Sequence, residues 1–319
     1  MNNHSSRIFG PVPSRRLGFS LGVDLVPYKT CTLDCVYCQL GSTGRTTRRR
    51  AEYAPLDEVL AELGEKLGEG GRIDWITLSG SGEPTLHAGI GLLIPEIKKL
   101  SPIPVAVLTN GTLLGLPEVR AALAAADLVV PSLDAGTEAV FAGVNRPHTG
   151  ITLEGLTSGI ARFTAGFSGR VWLEVMLLGG INDSPSELEA IAARIRRIAP
   201  ERVQLNTAVR PGAEAAVSAL DPRELERARL FLGARVNPVP VEVVAGFSGR
   251  REGAADRDLA AAIGDYLKRR PATVEDLAAV FGIHRHQVIK YLGHLKDAGK
   301  AREVASGGRK FFAASSTED

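Results

Sequence analysis

The sequence contains very little cysteine: its three cysteines, Cys31, Cys35 and Cys38, all stand within one stretch of eight residues. An odd number of cysteines excludes a fully paired disulfide framework, and three thiols are one short of a closed four-ligand zinc site. The CxxxCxxC spacing instead suits a metal centre that keeps one coordination position open.

Long apolar runs and an excess of charge are also missing. No run approaches the roughly 18 apolar residues of a membrane-spanning helix, and the first residues lack the apolar segment of a secretory signal. Lysine and arginine number 38 and aspartate and glutamate 36, and this near balance excludes a global electrostatic attraction to nucleic acid or membrane. We therefore expect a cytoplasmic protein without a membrane partner, in a compartment where thiols stay reduced.

Short apolar runs alternate with amphipathic stretches over most of the chain. This alternation predicts an α/β fold with a parallel sheet and right-handed crossovers. We expect a partial (β/α)6 TIM-like barrel over residues 1–245, with its chemistry at the C-terminal ends of the strands. The predicted strands end in the cysteine loop or in the segments SGSGEP, TNG, SLD, GGIND and NTAVRP.

The last part of the chain has a different character. Residues 246–256 are polar and glycine-rich, as is typical of a linker. Residues 257–319 predict three helices and two strands that turn at Gly307-Gly308, an order that resembles a winged helix-turn-helix domain. The early turns of the third helix, where such a domain meets nucleic acid, carry His284, Arg285, His286, Gln287 and Lys290. Peptide recognition and packing against a partner are the alternatives for this domain.

Three thiolates on one loop can hold a [4Fe–4S] cluster and leave its fourth iron free for another ligand. Tyr37, directly before the last cysteine, places an aromatic ring beside such a cluster. The alternatives are zinc with a histidine as fourth ligand and a redox-active set of thiols. The six histidines do not lie at the usual zinc-site spacing from the cysteines.

CxxxCxxC with an aromatic residue before the third cysteine resembles the signature of the radical S-adenosylmethionine (SAM) enzymes. The resemblance covers about residues 8–245. It implies that the open iron binds SAM, that SAM is cleaved reductively to a 5′-deoxyadenosyl radical, and that this radical abstracts hydrogen from a substrate. It also implies a reducing partner of the flavodoxin or ferredoxin type.

Later motifs extend the resemblance. SGSGEPT resembles the GGEP turn of that superfamily, with Ser81 as a departure, and implies that Glu83 helps to hold the SAM ammonium group. LTNG and PSLDA resemble the segments that border the methionine moiety and the ribose, with Ser132 a better candidate than Asp134. The implied cofactor-binding residues are Tyr37, Gly80, Ser81, Gly82, Glu83, Thr109, Asn110, Ser132 and Asp134. Ordinary capping of strand ends is the alternative for the polar ones.

Substrate residues are expected among the polar side chains at the later strand ends. The candidate catalytic residues are Glu174, Asn206 and Arg210. Further candidates are Lys29, Asn145, Arg146, His148, Asn182, Asp183 and the arginines of GRTTRRR (Arg45, Arg48, Arg49 and Arg50). Hydrogen bonding within loops, or solvation in the case of the charged residues, is the alternative for each.

The segments SLDAGTEAVFAGVNRPH and VQLNTAVRP are most similar to the wyosine-base tRNA synthase-like branch of these enzymes. That branch carries a second cluster on further upstream cysteines, which this chain lacks. We therefore predict a radical SAM enzyme whose substrate is a macromolecule such as tRNA or another RNA, and we leave its specific reaction unassigned. The alternatives are a peptide- or protein-modifying maturase and a redox-sensing DNA-binding regulator.

Overall fold

The computed structural model describes residues 6–244 and 259–315, so the linker predicted at residues 246–256 lies outside the described residues. An eight-stranded sheet takes its strands in chain order, and a separate two-stranded sheet follows. The strands are β1 (Ile8–Ser14), β2 (Gly18–Val23), β3 (Trp75–Leu78), β4 (Val105–Thr109), β5 (Leu128–Pro131), β6 (Arg170–Leu177), β7 (Arg202–Thr207), β8 (Val241–Val243), β9 (Ala301–Ser306) and β10 (Arg309–Ala314).

Helices connect the parallel strands. They are α1 (Leu56–Gly68), α2 (Ile90–Leu100), α3 (Pro117–Ala122), α4 (Glu138–Val144), α5 (Leu153–Gly166), α6 (Pro185–Ile198), α7 (Pro222–Val236), α8 (Leu259–Arg269), α9 (Val274–Phe281) and α10 (Arg285–Asp297). Each of the strands β2–β7 is followed by at least one helix, and β2–β8 run parallel. The predicted α/β class and mostly parallel sheet are thereby confirmed. The hairpin of β1 and β2 adds an antiparallel edge.

Local signals explain where several helices begin. Proline occupies the first turn of α6 and α7, where its missing N–H costs no hydrogen bond. The Ser184 side chain accepts from the Glu187 N–H and begins α6, and Asp221 forms a capping box with Glu224 at the start of α7. These caps lie in the loops that follow β6 and β7, and they fix where each chain segment leaves the sheet.

Alternate residues of each strand point to opposite faces of the sheet. Ile76 and Leu78 of β3 are fully buried in the main core, which lies between the sheet and its helices. Thr77 points to the other face, where its hydroxyl hydrogen-bonds with that of Ser20. The second face is therefore partly polar.

The sheet is strongly curved. Arg16, in the turn between β1 and β2, forms an ion pair with Glu174 of β6. In a flat sheet β2 and β6 would be about 19 Å apart, at roughly 4.8 Å for each of four strand spacings. The adjacent Leu17 also packs with Leu128 and Trp172 of β5 and β6. The sheet therefore wraps around this second face, in agreement with the expected partial barrel.

The last three helices and the β9–β10 hairpin form a second packed unit. Its core includes Leu259, Ile263, Val288 and Phe312, and Val12 of β1 packs into it. The Ala272 N–H and C=O both pair with Phe312 and tie the helices to the hairpin. This unit therefore packs directly on the first edge strand of the large sheet. In the two described ranges, no helix is long and apolar enough to cross a membrane.

Candidate cofactor and substrate site

The three cysteines lie on the long loop between β2 and α1, at the C-terminal edge of the parallel strands. Backbone hydrogen bonds shape this loop: the Cys38 N–H donates to the Cys35 carbonyl at 3.0 Å, and the Thr47 N–H donates to the Cys31 carbonyl at 2.8 Å. Lys29 adopts a left-handed conformation with φ of 64° just before the first cysteine. The loop is therefore a fixed turn that presents its three thiols from one short segment.

The turn after β3 lies directly against this loop. The Glu83 N–H donates to the Thr30 carbonyl at 2.9 Å, and the Lys29 N–H donates to the Ser81 carbonyl at 2.7 Å. A Cβ at Gly82 would lie 2.0 Å from the Thr30 carbonyl oxygen, so only glycine allows this close approach. A Cβ at Gly80, whose φ is 144°, would lie 2.5 Å from the Asp24 Cγ. The SGSGEP motif thus fixes the cysteine loop to the end of β3.

Two asparagine side chains point at the thiols. The Asn110 Nδ2 lies 3.5 Å from the Cys31 Sγ, and the Asn145 Nδ2 lies 3.4 Å from the Cys35 Sγ. Both asparagines follow later elements of the fold: Asn110 comes directly after β4, and Asn145 directly after α4. Amide N–H groups that donate to sulfur stabilise a negative sulfur and tune a bound cluster.

The surroundings of the thiols keep them protonated when no metal is bound. Burial, with the Glu83 charge next, raises the pKa of Cys31 to about 12. Burial likewise raises the pKa of Cys35. The Lys29 Nζ is buried near the three thiols and has no hydrogen-bond partner within the described residues. Thiols in this setting ionise when a metal replaces their protons.

The residues present fit an iron–sulfur cluster by their donor chemistry. Among the residues that the structure describes, no group of three or more His, Cys, Asp and Glu side chains is arranged to hold a metal ion. The three thiols on one loop, the two amide donors and the Lys29 ammonium nevertheless supply the soft ligands and the positive surroundings that such a cluster requires.

Glu83 is almost fully buried at the centre of the cofactor motifs. Its carboxylate accepts from the Thr109 hydroxyl at 2.6 Å, from the Thr85 N–H at 3.0 Å and from the Asn110 N–H at 2.7 Å. Burial raises its pKa, and these hydrogen bonds partly oppose the rise. Glu83 thus ties the β3 turn to the end of β4. Its contact with a SAM ammonium group stays a prediction.

Asp134, after β5, is enclosed by donors. Its carboxylate accepts from the Tyr37 hydroxyl, from the Asn145 Nδ2 at 2.8 Å and from the Met176 N–H at 3.0 Å. Burial raises the pKa of Asp134 to about 6 in spite of these bonds. The Ser132 hydroxyl, in contrast, makes no hydrogen bond to any described side chain or backbone group. Ser132 is therefore better placed than Asp134 to bind a ligand.

Two of the three candidate catalytic residues lie together on the second face of the sheet. The Asn206 Nδ2 donates to the Glu174 Oε1 at 3.0 Å, and Arg16 pairs with the same oxygen. Burial opposes ionisation of Glu174, but the Arg16 charge and these hydrogen bonds lower its pKa below the ordinary value. Arg210, the third candidate, has its Nη2 3.6 Å from the Asp276 Oδ2 of α9.

Three of the other substrate candidates have structural partners. Asn182 is buried and donates to the carbonyls of Asp134 and Met176, so it holds the loop after β6. Arg146 pairs with Glu214 at 2.8 Å on the surface. Arg50 donates to the Thr85 carbonyl behind the β3 turn. Asn182 and Arg146 thus make the kind of loop contact that was their alternative, whereas Arg50 is hydrogen-bonded instead of solvated.

Sequence reasoning missed Arg15, Arg16 and Arg270. Arg15 and Arg16 sit in the β1–β2 turn, and Arg270 directly follows α8. The adjacent arginines in PSRRLGFS, between two apolar runs, were the available signal. Adjacent charges in a turn usually face solvent, and only the curvature of the sheet turns these towards Glu174.

The chain is similar in sequence to known proteins. The model of the Radical SAM superfamily matches residues 25–203. The chain is 41% identical over 300 residues to a protein of Brachyspira hyodysenteriae named GTPase Obg, covering 94% of this chain and 44% of that protein. It is 35% identical over 209 residues to a UPF0026 protein of Methanocaldococcus jannaschii, covering 65% of this chain and 64% of that protein.

The chain thus spans less than two thirds of the length of both relatives. The sequence contains no GxxxxGK[ST] phosphate-binding motif, so the name of the Brachyspira protein is not carried over to this chain.

Solved structures share the fold at low sequence identity. A radical SAM methyltransferase from Sphaerobacter thermophilus has a TM-score of 0.54 at 20% identity, covering 70% of this chain and 65% of that chain. Streptococcus suis SuiB bound to its precursor peptide SuiA also has a TM-score of 0.54, at 15% identity, covering 79% of this chain and 52% of that chain.

Proposed function

The chain belongs to the radical SAM superfamily, and from that premise we propose that Cys31, Cys35 and Cys38 hold a [4Fe–4S] cluster that binds SAM. The observation that carries the proposal is the contact between the cysteine loop and the β3 turn, with two amide donors on the thiols. When bound, the cluster and SAM supply a 5′-deoxyadenosyl radical that abstracts hydrogen from a substrate.

The chain's own residues would position SAM at the strand ends. The backbone of Gly80, Ser81 and Gly82 would face the methionine moiety, with Glu83 keeping the turn in place through Thr85 and Thr109. The Ser132 hydroxyl would donate to the ribose. Tyr37, which is fixed by Asp134, would cover one side of the cluster and limit access of water.

The substrate would occupy the second face of the sheet. Glu174 is held as a carboxylate by Arg16 and Asn206, so it would accept hydrogen bonds from the substrate or orient it. Arg210 would contribute a positive charge at the boundary with α9. A flavodoxin- or ferredoxin-type protein would supply the electron.

We further propose that the last part of the chain is a winged helix-turn-helix domain, within residues 257–319, that binds structured RNA. Support comes from the short connection between α9 and α10. It consists of Gly282, Ile283 and His284, and His284 caps α10. Arg285, His286 and Lys290 are exposed on the first turns of α10. Such a surface suits phosphate and base contacts.

A peptide substrate is the second candidate. It is favoured by Ile289, whose side chain is 52% exposed between Arg285 and Lys290 on α10. An apolar side chain within a basic surface suits a peptide with an apolar anchor. The wyosine reaction is not proposed, because the chain lacks the cysteines of a second cluster.

The deciding experiment is anaerobic. The protein is reconstituted with iron and sulfide, reduced with dithionite and incubated with SAM, and 5′-deoxyadenosine is measured beside the Cys35→Ala variant. We expect product from the wild type alone. An intact, reducible cluster whose spectrum is unchanged by SAM would overturn the proposal and favour a redox-sensing regulator.

A further inference from the structure

Four arginines from three distant parts of the chain lie together beside the second face of the sheet. Arg15 and Arg16 come from the β1–β2 turn, Arg210 follows β7, and Arg270 follows α8. Burial and the charges of Arg210, Arg16 and Arg270 lower the pKa of Arg15 to about 10, and burial together with the Arg210 charge lowers the pKa of Arg270. Arg15 is therefore close enough to the other three guanidinium groups to be repelled by them, and Arg270 is close enough to Arg210.

Three of these guanidinium groups keep buried N–H donors without a partner. The Arg16 Nη1, the Arg210 Nε and the Arg270 Nη2 make no hydrogen bond within the described chain. A buried donor left unpaired costs about 1–3 kcal/mol, and more when the group is charged. Three such donors, from three different segments, indicate that an acceptor belongs between them.

The charges of the group do not balance. Glu174 pairs with Arg16, and Asp276 lies 3.6 Å from Arg210, which is beyond hydrogen-bond distance. Four positive charges therefore meet two negative ones in this described part of the chain, an excess of two. Buried charge without compensation is strongly unfavourable. An anion that carries about two negative charges would balance the group.

A cavity of about 520 Å³ gives a ligand access to this region. Arg270 lines it, as do Ser14 and Leu17 on either side of Arg15 and Arg16. Thr77 and Gly80 of β3 and its following turn line the same cavity. One continuous space thus runs from Arg270 to the turn next to the cysteine loop, and its lining also includes Glu62, Glu65, Glu69 and Asp265.

We propose that Arg15, Arg16, Arg210 and Arg270 bind a phosphate group of the substrate and thereby orient the substrate towards the cofactor site. A phosphate monoester carries close to two negative charges at neutral pH and presents three acceptor oxygens. Its charge matches the excess of two and its three oxygens can accept from several arginines at once, which a carboxylate with one charge cannot do as well. The assignment of this phosphate to a substrate rests on the proposed function, whereas the phosphate site itself does not.

The test measures binding of inorganic phosphate to the cluster-loaded full chain, by calorimetry and by thermal unfolding. We expect phosphate to raise Tm, since a ligand that binds only the folded state stabilises it. Acetate should not reproduce the rise. Equal binding of acetate and phosphate would overturn the choice of phosphate.

Arg15→Gln is the most informative variant, because Arg15 makes no hydrogen bond or ion pair with a described residue. Loss of the Arg15 charge should relieve its repulsion of the other three arginines, so the Tm measured without phosphate should be unchanged or higher. Phosphate binding should weaken at least about tenfold, or about 1.4 kcal/mol. Arg270→Gln should weaken binding similarly. Arg229→Gln, which removes a surface arginine paired with Glu226, should change neither quantity. A lower Tm with unchanged phosphate affinity in Arg15→Gln would overturn the proposal.

Competition identifies the source of the phosphate. Displacement of phosphate by a short 5′-phosphorylated RNA, but not by a nucleoside monophosphate, would assign the site to nucleic acid, and the reverse result to a small phosphorylated molecule. Displacement by neither would overturn the proposal. Phosphate binding by a protein that yields no 5′-deoxyadenosine would contradict the proposed function alone, and product formation without phosphate binding would contradict this inference alone.

Discussion

The side-chain amide of Asn145 lies 3.4 Å from the Sγ of Cys35, although the two residues are 110 positions apart in the chain. The same Nδ2 donates to Asp134 at 2.8 Å, and Asp134 also accepts from Tyr37, the neighbour of the third cysteine. The surroundings of the thiols are therefore built from the loop itself and from the segments that follow β5 and α4.

We expect Asn145→Leu to lower the reduction potential of the cluster. An N–H donor to a cluster sulfur stabilises the more negative reduced state. Loss of a hydrogen bond of about 1 kcal/mol corresponds to roughly 40 mV for one electron. Potentiometric titration followed by electron paramagnetic resonance measures the shift.

Tyr37→Phe serves as the control for that variant. It also removes one hydrogen bond from Asp134, but it leaves the Asn145 donor to Cys35 in place. A shift of equal size in both variants would assign the effect to Asp134 and contradict the role of Asn145.

Gly82→Ala should separate the cysteine loop from the β3 turn. The added Cβ would lie 2.0 Å from the Thr30 carbonyl oxygen and 2.8 Å from the Val26 Cγ2, so the backbone must move. We expect a loss of about 1–3 kcal/mol in the free energy of unfolding and a lower iron content after reconstitution. Gly64→Ala in α1, where nothing lies within 4 Å, is the matched control and should be neutral or stabilising. Normal iron content in Gly82→Ala would contradict this role of the contact.

The stability of the metal-free protein should depend on Asp134 between pH 4 and pH 6. Its pKa in the folded state is raised from 3.8 to about 6, so the folded protein holds this proton more tightly than the unfolded chain does. The resulting stabilisation is present below the unfolded pKa and is lost as the pH rises through 6. Relative to Asp134→Asn, the wild type should lose up to about 3 kcal/mol across this range. Urea unfolding at several pH values measures the difference, and parallel curves for the two proteins would count against the raised pKa.

RNA binding should respond to single charges on α10. Replacing Arg285 or Lys290 with alanine should weaken RNA binding. It should also reduce the slope of log affinity against log salt concentration by about one unit for each RNA phosphate that the side chain neutralises in the wild type. Lys296, which lies in the last turn of the same helix, away from the first turns that carry Arg285 and Lys290, is the matched control. Binding assays at several salt concentrations test this, and an unchanged slope in both variants would exclude α10 as the RNA-binding element.

The sequence alone was sufficient for the features that depend on neighbouring residues. The spacing of the three cysteines, the glycines of the β3 turn and the alternation of strands and helices are local patterns, and they predicted the α/β class. The turn at Gly307-Gly308 was equally readable, because a tight turn depends on a few consecutive residues. The short helix α4 was not anticipated, since its seven residues are too few for a periodic signal.

Only the tertiary structure decided which distant groups meet. Arg16 reaches Glu174 because the sheet curves across four strand spacings, and Arg15, Arg210 and Arg270 join them from segments up to 255 residues apart. The pairing of Asn206 with Glu174 follows from the register of β6 and β7, which aligns Met176 with Asn206. Curvature and register arise from the packing of the whole sheet against its helices, and no local stretch of sequence contains them.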